Sequence, residues 1–191
     1  MILTHGEPAA AKQSTARAHF AESNAVATRF FSEKAERIAQ ACQSMAMHFQ
    51  MGGRLLVCGR GAQRSDVSHV VVEFLHPVVV GKRALPAIAL ARDTSSEPGA
   101  EFASIAKRED ILLVLCAGAL HGGLDGVVAS AAARGVLTVV LRGNDTSSVG
   151  GDHVFAVPSD DVCIVQETHE VLYHILWELT HVFLDHRGSA S

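Results

Sequence analysis

The chain has 191 residues, 48% of them hydrophobic and 19% charged, with a formal net charge of -4. That is enough for one domain with a substantial core. The lack of a basic excess argues against nucleic-acid binding, the mild acidity argues against an anionic membrane surface, and 5% aromatics with one Trp are too few for a base-stacking platform. No stretch reaches the roughly 18 apolar residues of a membrane span, and the first residues lack the apolar run of a signal peptide, so the expected location is cytoplasmic.

Residues 1–13 read as a loose arm. Residues 14–51 contain no Pro or Gly, and Ala, Glu, Gln and Met are common, which predicts a long helical segment with one break near Ser32. Phe20, Val26, Phe30, Ile38, Ala41, Met45 and Phe49 form a candidate apolar stripe, and "MGG" at 51–53 supplies a helix stop. A stripe of this kind needs a partner, so the segment reads as an oligomerisation element.

The pattern then changes. "RLLVCG" predicts a buried strand and "AQRSDVSHVVVEFLH" a helix, although the β-branched run within it has strand propensity. "PAIALA" at 86–91, "ILLVLCAG" at 111–118, "VLTVVLRG" at 136–143 and "HVFAVP" at 153–158 predict four more strands. "GGLDGVVASAAARG" predicts a helix closed by Gly135, and residues from Cys163 to about Asp185 a long last helix. "DTSSEPG" at 93–99 and "GNDTSSVGG" at 143–151 read as loops. Short continuous apolar strands alternating with helices define an α/β fold with a doubly wound, five-stranded parallel sheet and an N-terminal helical extension. Such sheets bind ligands in the crevice at the carboxyl ends of their strands.

The cysteines, Cys42, Cys58, Cys116 and Cys163, form no C-x-x-C pair, which argues against a zinc knuckle or redox motif. They read as reduced residues in a reducing compartment. The first loop, "CGRGAQRSD" at 58–66, places Gly59 and Gly61 between a strand and a helix, where backbone can approach an anion. It lacks the third Gly of a dinucleotide fingerprint and the Gly-Lys-Ser/Thr of a P-loop. Arg60 and Arg64 add positive charge there.

On the next helix His69 and Glu73 stand four residues apart, hence on one face. On the last helix Gln166, Glu170, Tyr173, His174, Trp177 and His181 share one broad stripe, with Val165, Leu172, Leu176, Leu179 and Phe183 opposite. A polar stripe is ordinarily a solvated face. His169, His181 and His186 read that way, as do His5, His19, His48, His76 and His153, whereas His121 sits in the loop after a strand end.

The stretch "GRLLVCGRGAQRSDVSHVVVEF", followed by "LPAIAL", "EDILLVL", "RGVLTVVLRG" and "VQETHEVLYHIL", resembles the phosphoheptose isomerases, a branch of the SIS (sugar isomerase) domain proteins, which are Rossmann-like or flavodoxin-like α/β domains. By this resemblance residues 52–187 form the SIS domain. Family members carry His-x-x-x-Glu on the helix after the first strand, and a Gln with a His eight residues later on the last helix. His69 and Glu73 match the first pair, and Gln166 and His174 the second. The resemblance implies aldose–ketose isomerisation of a sugar phosphate of the sedoheptulose 7-phosphate type through an enediol. Glu73 would be the base and His174 the acid–base partner. In some members the same four side chains hold a zinc ion, so His69, Glu73, Gln166 and His174 are the implied metal ligands. The resemblance also implies a homotetramer.

The sequence departs from the family in its grip on the sugar. The family's Ser-Thr-Ser-Gly-Asn-Ser loop after the third strand reads "CAGALHGG" here, at 116–123, with no hydroxyl left. In the first loop Arg60 replaces the family's Asn and Gln63 its Ser. Gly59, Arg60, Gly61, Gln63, Arg64, Gly118 and His121 are therefore the candidate substrate-binding residues, through backbone amides or replacement side chains. The alternative expectation is a non-catalytic SIS protein with a ligand-sensing, assembly or metal-binding accessory role that has lost phosphosugar binding.

Overall fold

A computed structural model describes residues 9–77, 79–90, 98–118, 123–144 and 150–188, the side chains of 9–13 and 186–188 excepted. Helix α1 spans Ala9–Gln50, about 60 Å at 1.5 Å per residue. It begins inside the stretch read as an arm, and it runs through Ser32 without a break. Its C-terminal half buries Phe30, Ile38, Ala41, Cys42, Met45, Ala46 and Phe49, whereas Phe20 in the first half of the stripe is exposed. The helix stops where Gly52 adopts φ +86° and the amides of Gly52 and Gly53 return to the carbonyls of Phe49 and His48.

Five strands follow: β1 Leu55–Gly59, β2 Ala87–Ala89, β3 Ile111–Leu115, β4 Leu137–Arg142 and β5 His153–Ala156. All are parallel, in the order β2-β1-β3-β4-β5. The strands β1 and β3 are buried along their whole length, as their unbroken apolar runs require in a sheet covered on both faces. Alternation along the strands divides the core. Leu55, Val57, Leu113 and Val139 face α1, α2 (Arg64–Leu75) and α5 (Val162–Gly188). Leu56, Cys58, Leu112 and Val140 face α3 (Pro98–Ile105) and α4 (Leu124–Arg134). Helix α3 begins at Pro98, within the stretch read as a loop. Its short sequence gave little periodicity, and Phe102 supplies its main buried anchor.

One ion pair fixes the two central strands. Arg54 sends its Nε and Nη2 to the Asp110 carboxylate at 3.1 and 2.7 Å, and the Arg54 and Lys107 amides also donate to it at 2.9 Å. Burial alone would raise Asp110, but these hydrogen bonds hold its carboxyl below the usual range. With β1 and β3 held at their amino ends, their carboxyl ends meet at the point where the strand order reverses.

Helix α5 packs along α1 and also touches α2. It buries more than half of its circumference and leaves Glu167, Glu170, Val171 and Glu178 exposed, a narrower solvent face than the sequence reading gives it. Tyr173, Trp177, His169 and His181 are all buried, so the expectation that His169 and His181 face solvent is wrong. His181 fits because either tautomer finds an acceptor for its ring N–H: Nδ1 lies 2.9 Å from the Trp177 carbonyl and Nε2 3.0 Å from the Arg83 carbonyl. His169 bonds the Arg142 carbonyl through Nε2 at 3.3 Å, and burial lowers its pKa to about 4, so it is neutral. The His186 side chain lies outside the described residues.

Candidate active site

At the strand ends, Arg60, Gly61, Gln63, Cys116, Ala117, Gly118 and Leu124 line a cleft of about 250 Å³. Gly61 turns the chain there with φ +62°, a conformation that a side chain would strain. Gly59 is constrained by packing. A Cβ on it would stand 3.0 Å from both the Leu115 carbonyl oxygen and a Val67 methyl, so this glycine serves the close packing of β1, β3 and α2. Gln63 is buried and Arg64 opens α2. Cys116 turns its thiol to the Gly118 carbonyl at 3.1 Å. His121 lies outside the described residues.

The second part of the site lies along the seam of α2 and α5. His69, Glu73 and His174 each present a ligand atom, and these atoms all lie within 4.8 Å of one another. His69 Nε2 is 3.4 Å from Glu73 Oε1, and the His69 and His174 rings stand edge to face with centroids 5.1 Å apart. The Glu73 side chain is 18% exposed and that of His69 39%, so the cluster is partly sheltered yet open to a ligand. Helical spacing sets each pair: four residues separate His69 from Glu73, and eight separate Gln166 from His174.

Gln166 is placed by a residue that the sequence reading passed over. Its Nε2 donates to Asp66 Oδ1 at 3.1 Å, one turn before His69. Asp66 is buried, and its Oδ2 has no hydrogen-bond partner among the described residues. Burial raises the Asp66 carboxyl; the bond from Gln166 opposes this, and the nearby Glu170 adds to it. Asp66, Tyr173 and Glu170 are the neighbours that sequence reasoning missed as site residues. The available signal was position: Asp66 sits three residues before His69, and Tyr173 is the residue beside His174.

The donor set fits zinc. With ligand bonds of about 2.0–2.2 Å, tetrahedral donors stand roughly 3.3–3.6 Å apart, and the 3.4 Å from His69 Nε2 to Glu73 Oε1 falls in that range. Two imidazoles and a carboxylate are a common catalytic zinc set, and the amide of Gln166, held on Asp66 through its nitrogen, keeps its oxygen for another partner.

The chain belongs to the SIS domain family, whose model matches residues 18–117. Within that family it falls in the phosphoheptose isomerase branch. It is 30% identical over 178 residues to the phosphoheptose isomerase of Alkalilimnicola ehrlichii, covering 84% of this chain and 91% of the relative. Among solved structures, the fold is similar to a phosphoheptose isomerase from Francisella tularensis, with a TM-score of 0.81 at 23% identity, covering 89% of this chain and 98% of that one. It is also similar to the phosphoheptose isomerase from Neisseria gonorrhoeae, with a TM-score of 0.78 at 23% identity, covering 88% and 97%.

Proposed function

We propose that this chain is an aldose–ketose isomerase acting on a sugar phosphate of the sedoheptulose 7-phosphate type through an enediol, with His69, Glu73, Gln166 and His174 able to hold a zinc ion. The observation that carries this reading is the convergence of His69, Glu73 and His174 from two helices about a hundred residues apart, with their ligand atoms within 4.8 Å. The names of the sequence relatives support the substrate class.

The residues divide the work. Glu73 takes a proton from the carbon beside the ketone and returns it to the former carbonyl carbon. His174 gives a proton to the carbonyl oxygen and takes one from the neighbouring hydroxyl. The enediol therefore collapses to the aldose with no net gain or loss of atoms. A zinc ion in this set would supply Lewis-acid stabilisation of the enediolate oxygens. The cleft lined by Arg60, Gly61 and Gln63 receives the phosphate, with backbone amides and a guanidinium replacing the family's hydroxyls. Roughly 8 Å of helix rise separates Arg64 from His69, which suits a substrate whose charged end and carbonyl end lie several carbons apart. The long α1 is read as the element through which four copies assemble.

The wall formed by Cys116, Ala117 and Gly118 favours a second reading, a SIS protein that keeps the metal set and has lost phosphosugar turnover. Incubating the purified protein with sedoheptulose 7-phosphate, with and without zinc, separates the two. Aldose formation supports the isomerase, and bound zinc with no turnover supports the second reading.

A further inference from the structure

The chain's one tyrosine is buried against the metal-type cluster. The Tyr173 hydroxyl lies 3.0 Å from His69 Nδ1, and its ring stands edge to face against both histidines, with centroids 5.4 Å from His69 and 4.9 Å from His174. We propose that Tyr173 is a positioning residue for His69: its hydroxyl accepts the Nδ1–H of the ring and so directs the Nε2 lone pair toward Glu73 and His174.

A neutral imidazole carries one N–H, so the bond made at one nitrogen decides what the other can do. Nε2 is the nitrogen beside Glu73, at 3.4 Å, and is therefore the atom the cluster can use. On the far side, Glu170 Oε1 stands 3.9 Å from Nδ1. An ionised carboxylate only accepts, so it too favours a proton on Nδ1, and with the hydroxyl it opposes the pull of Glu73 on a proton at Nε2. Were the hydroxyl to donate instead, the ring proton would sit on Nε2, pointing at Glu73, and would occupy the atom that a metal needs. Burial and the nearby Glu170, Asp66 and Glu73 raise the phenol's pKa, so Tyr173 stays a neutral hydroxyl. Partners of this kind on metal-binding histidines fix ring orientation and tautomer together.

The zinc arm of the test rests on the proposed metal reading; the tautomer arm does not. Tyr173→Phe removes one oxygen and keeps the ring contacts. Zinc affinity measured by chelator competition should fall about 10–100-fold, the usual cost of losing such a partner, with the thermal midpoint close to wild type. In metal-free protein labelled with 15N-histidine, the His69 signal, assigned by its loss in His69→Gln, should show the Nδ1–H form in wild type and a mixture in Tyr173→Phe. An unchanged tautomer together with affinity within about twofold of wild type would overturn the inference. A tautomer shift in a protein that neither holds zinc nor turns over substrate would sink the metal reading and leave the positioning role standing. Uniform 3-fluorotyrosine labelling alters this residue alone, keeps the hydroxyl, and serves if the Phe variant does not fold. The fluorinated phenol is a poorer acceptor, so zinc affinity should drop below wild type; unchanged affinity would refute the positioning role, and an Nε2–H form of His69 in the wild-type protein would show that the hydroxyl donates and would refute the assigned sense.

Discussion

Glu73→Gln is the sharpest perturbation of the proposed chemistry. The substitution keeps side-chain length and one acceptor oxygen but removes the charge and the basicity. Glu73 is largely sheltered, and its nearest charged-type neighbour is His69 Nε2 at 3.4 Å. Among the described residues no other carboxylate joins His69 and His174 in the cluster of ligand atoms, and Glu170 lies on the other side of the His69 ring, 3.9 Å from Nδ1. A positioned general base contributes about 10²–10⁴ in rate, or roughly 3–5 kcal/mol of barrier. The expected result is a loss of kcat of that size with KM changed far less, the pattern for an interaction made in the transition state. The assay follows aldose formation from sedoheptulose 7-phosphate at saturating zinc, so that weaker metal retention is not mistaken for loss of the base. A kcat within about tenfold of wild type under those conditions would mean that Glu73 is not the base.

Other substitutions test other parts of the site. Arg60→Ala should raise KM for the phosphosugar with little change in kcat, as for lost uniform binding, and an unchanged KM would remove Arg60 from the phosphate grip. Asp66→Ala frees the Gln166 amide and should cost about tenfold or more in zinc retention, read by dialysis and metal analysis; full retention would show that the Asp66–Gln166 bond does not orient a ligand. For His169 the folded pKa of about 4 lies below the ordinary 6.5, so the unfolded chain takes the proton first. Its contribution is present above pH 6.5 and lost as pH falls toward 4, amounting to at most about 3 kcal/mol. Urea midpoints measured between pH 7.5 and 4.5 should fall less steeply in His169→Gln than in wild type. Asp110→Asn should destabilise the fold by about 3–5 kcal/mol, because it leaves Arg54 without its bidentate partner, and a denaturant midpoint like wild type would remove that pair from the core's support.

The five strands were legible because each is a short apolar run bounded by turn residues, and the helix carrying His69 and Glu73 followed from the crossover that parallel neighbours require. The quartet was legible only through the family resemblance, since nothing in the spacing alone links His69 to His174, 105 residues later. Helix α5 misled in one respect. Period 3.6 finds the stripe but not its width: packed against α1 and α2, the helix leaves a narrow face around Glu167, Glu170 and Glu178 to solvent, and so His169 and His181 were assigned to solvent. Asp66 was passed over because a carboxylate early in a helix ordinarily reads as dipole compensation, and its bond to Gln166 is tertiary. Gly59 carries a constraint that the Gly-x-Gly pattern does not show, since a Cβ there would meet Val67 and the Leu115 carbonyl.

The most direct measurement is zinc content of the purified protein together with turnover of sedoheptulose 7-phosphate, in wild type and in His174→Ala. An isomerase built on this cluster holds zinc and forms the aldose in wild type and loses both in the variant. Turnover that survives in His174→Ala, or a wild-type protein that forms no aldose with zinc supplied, would contradict it.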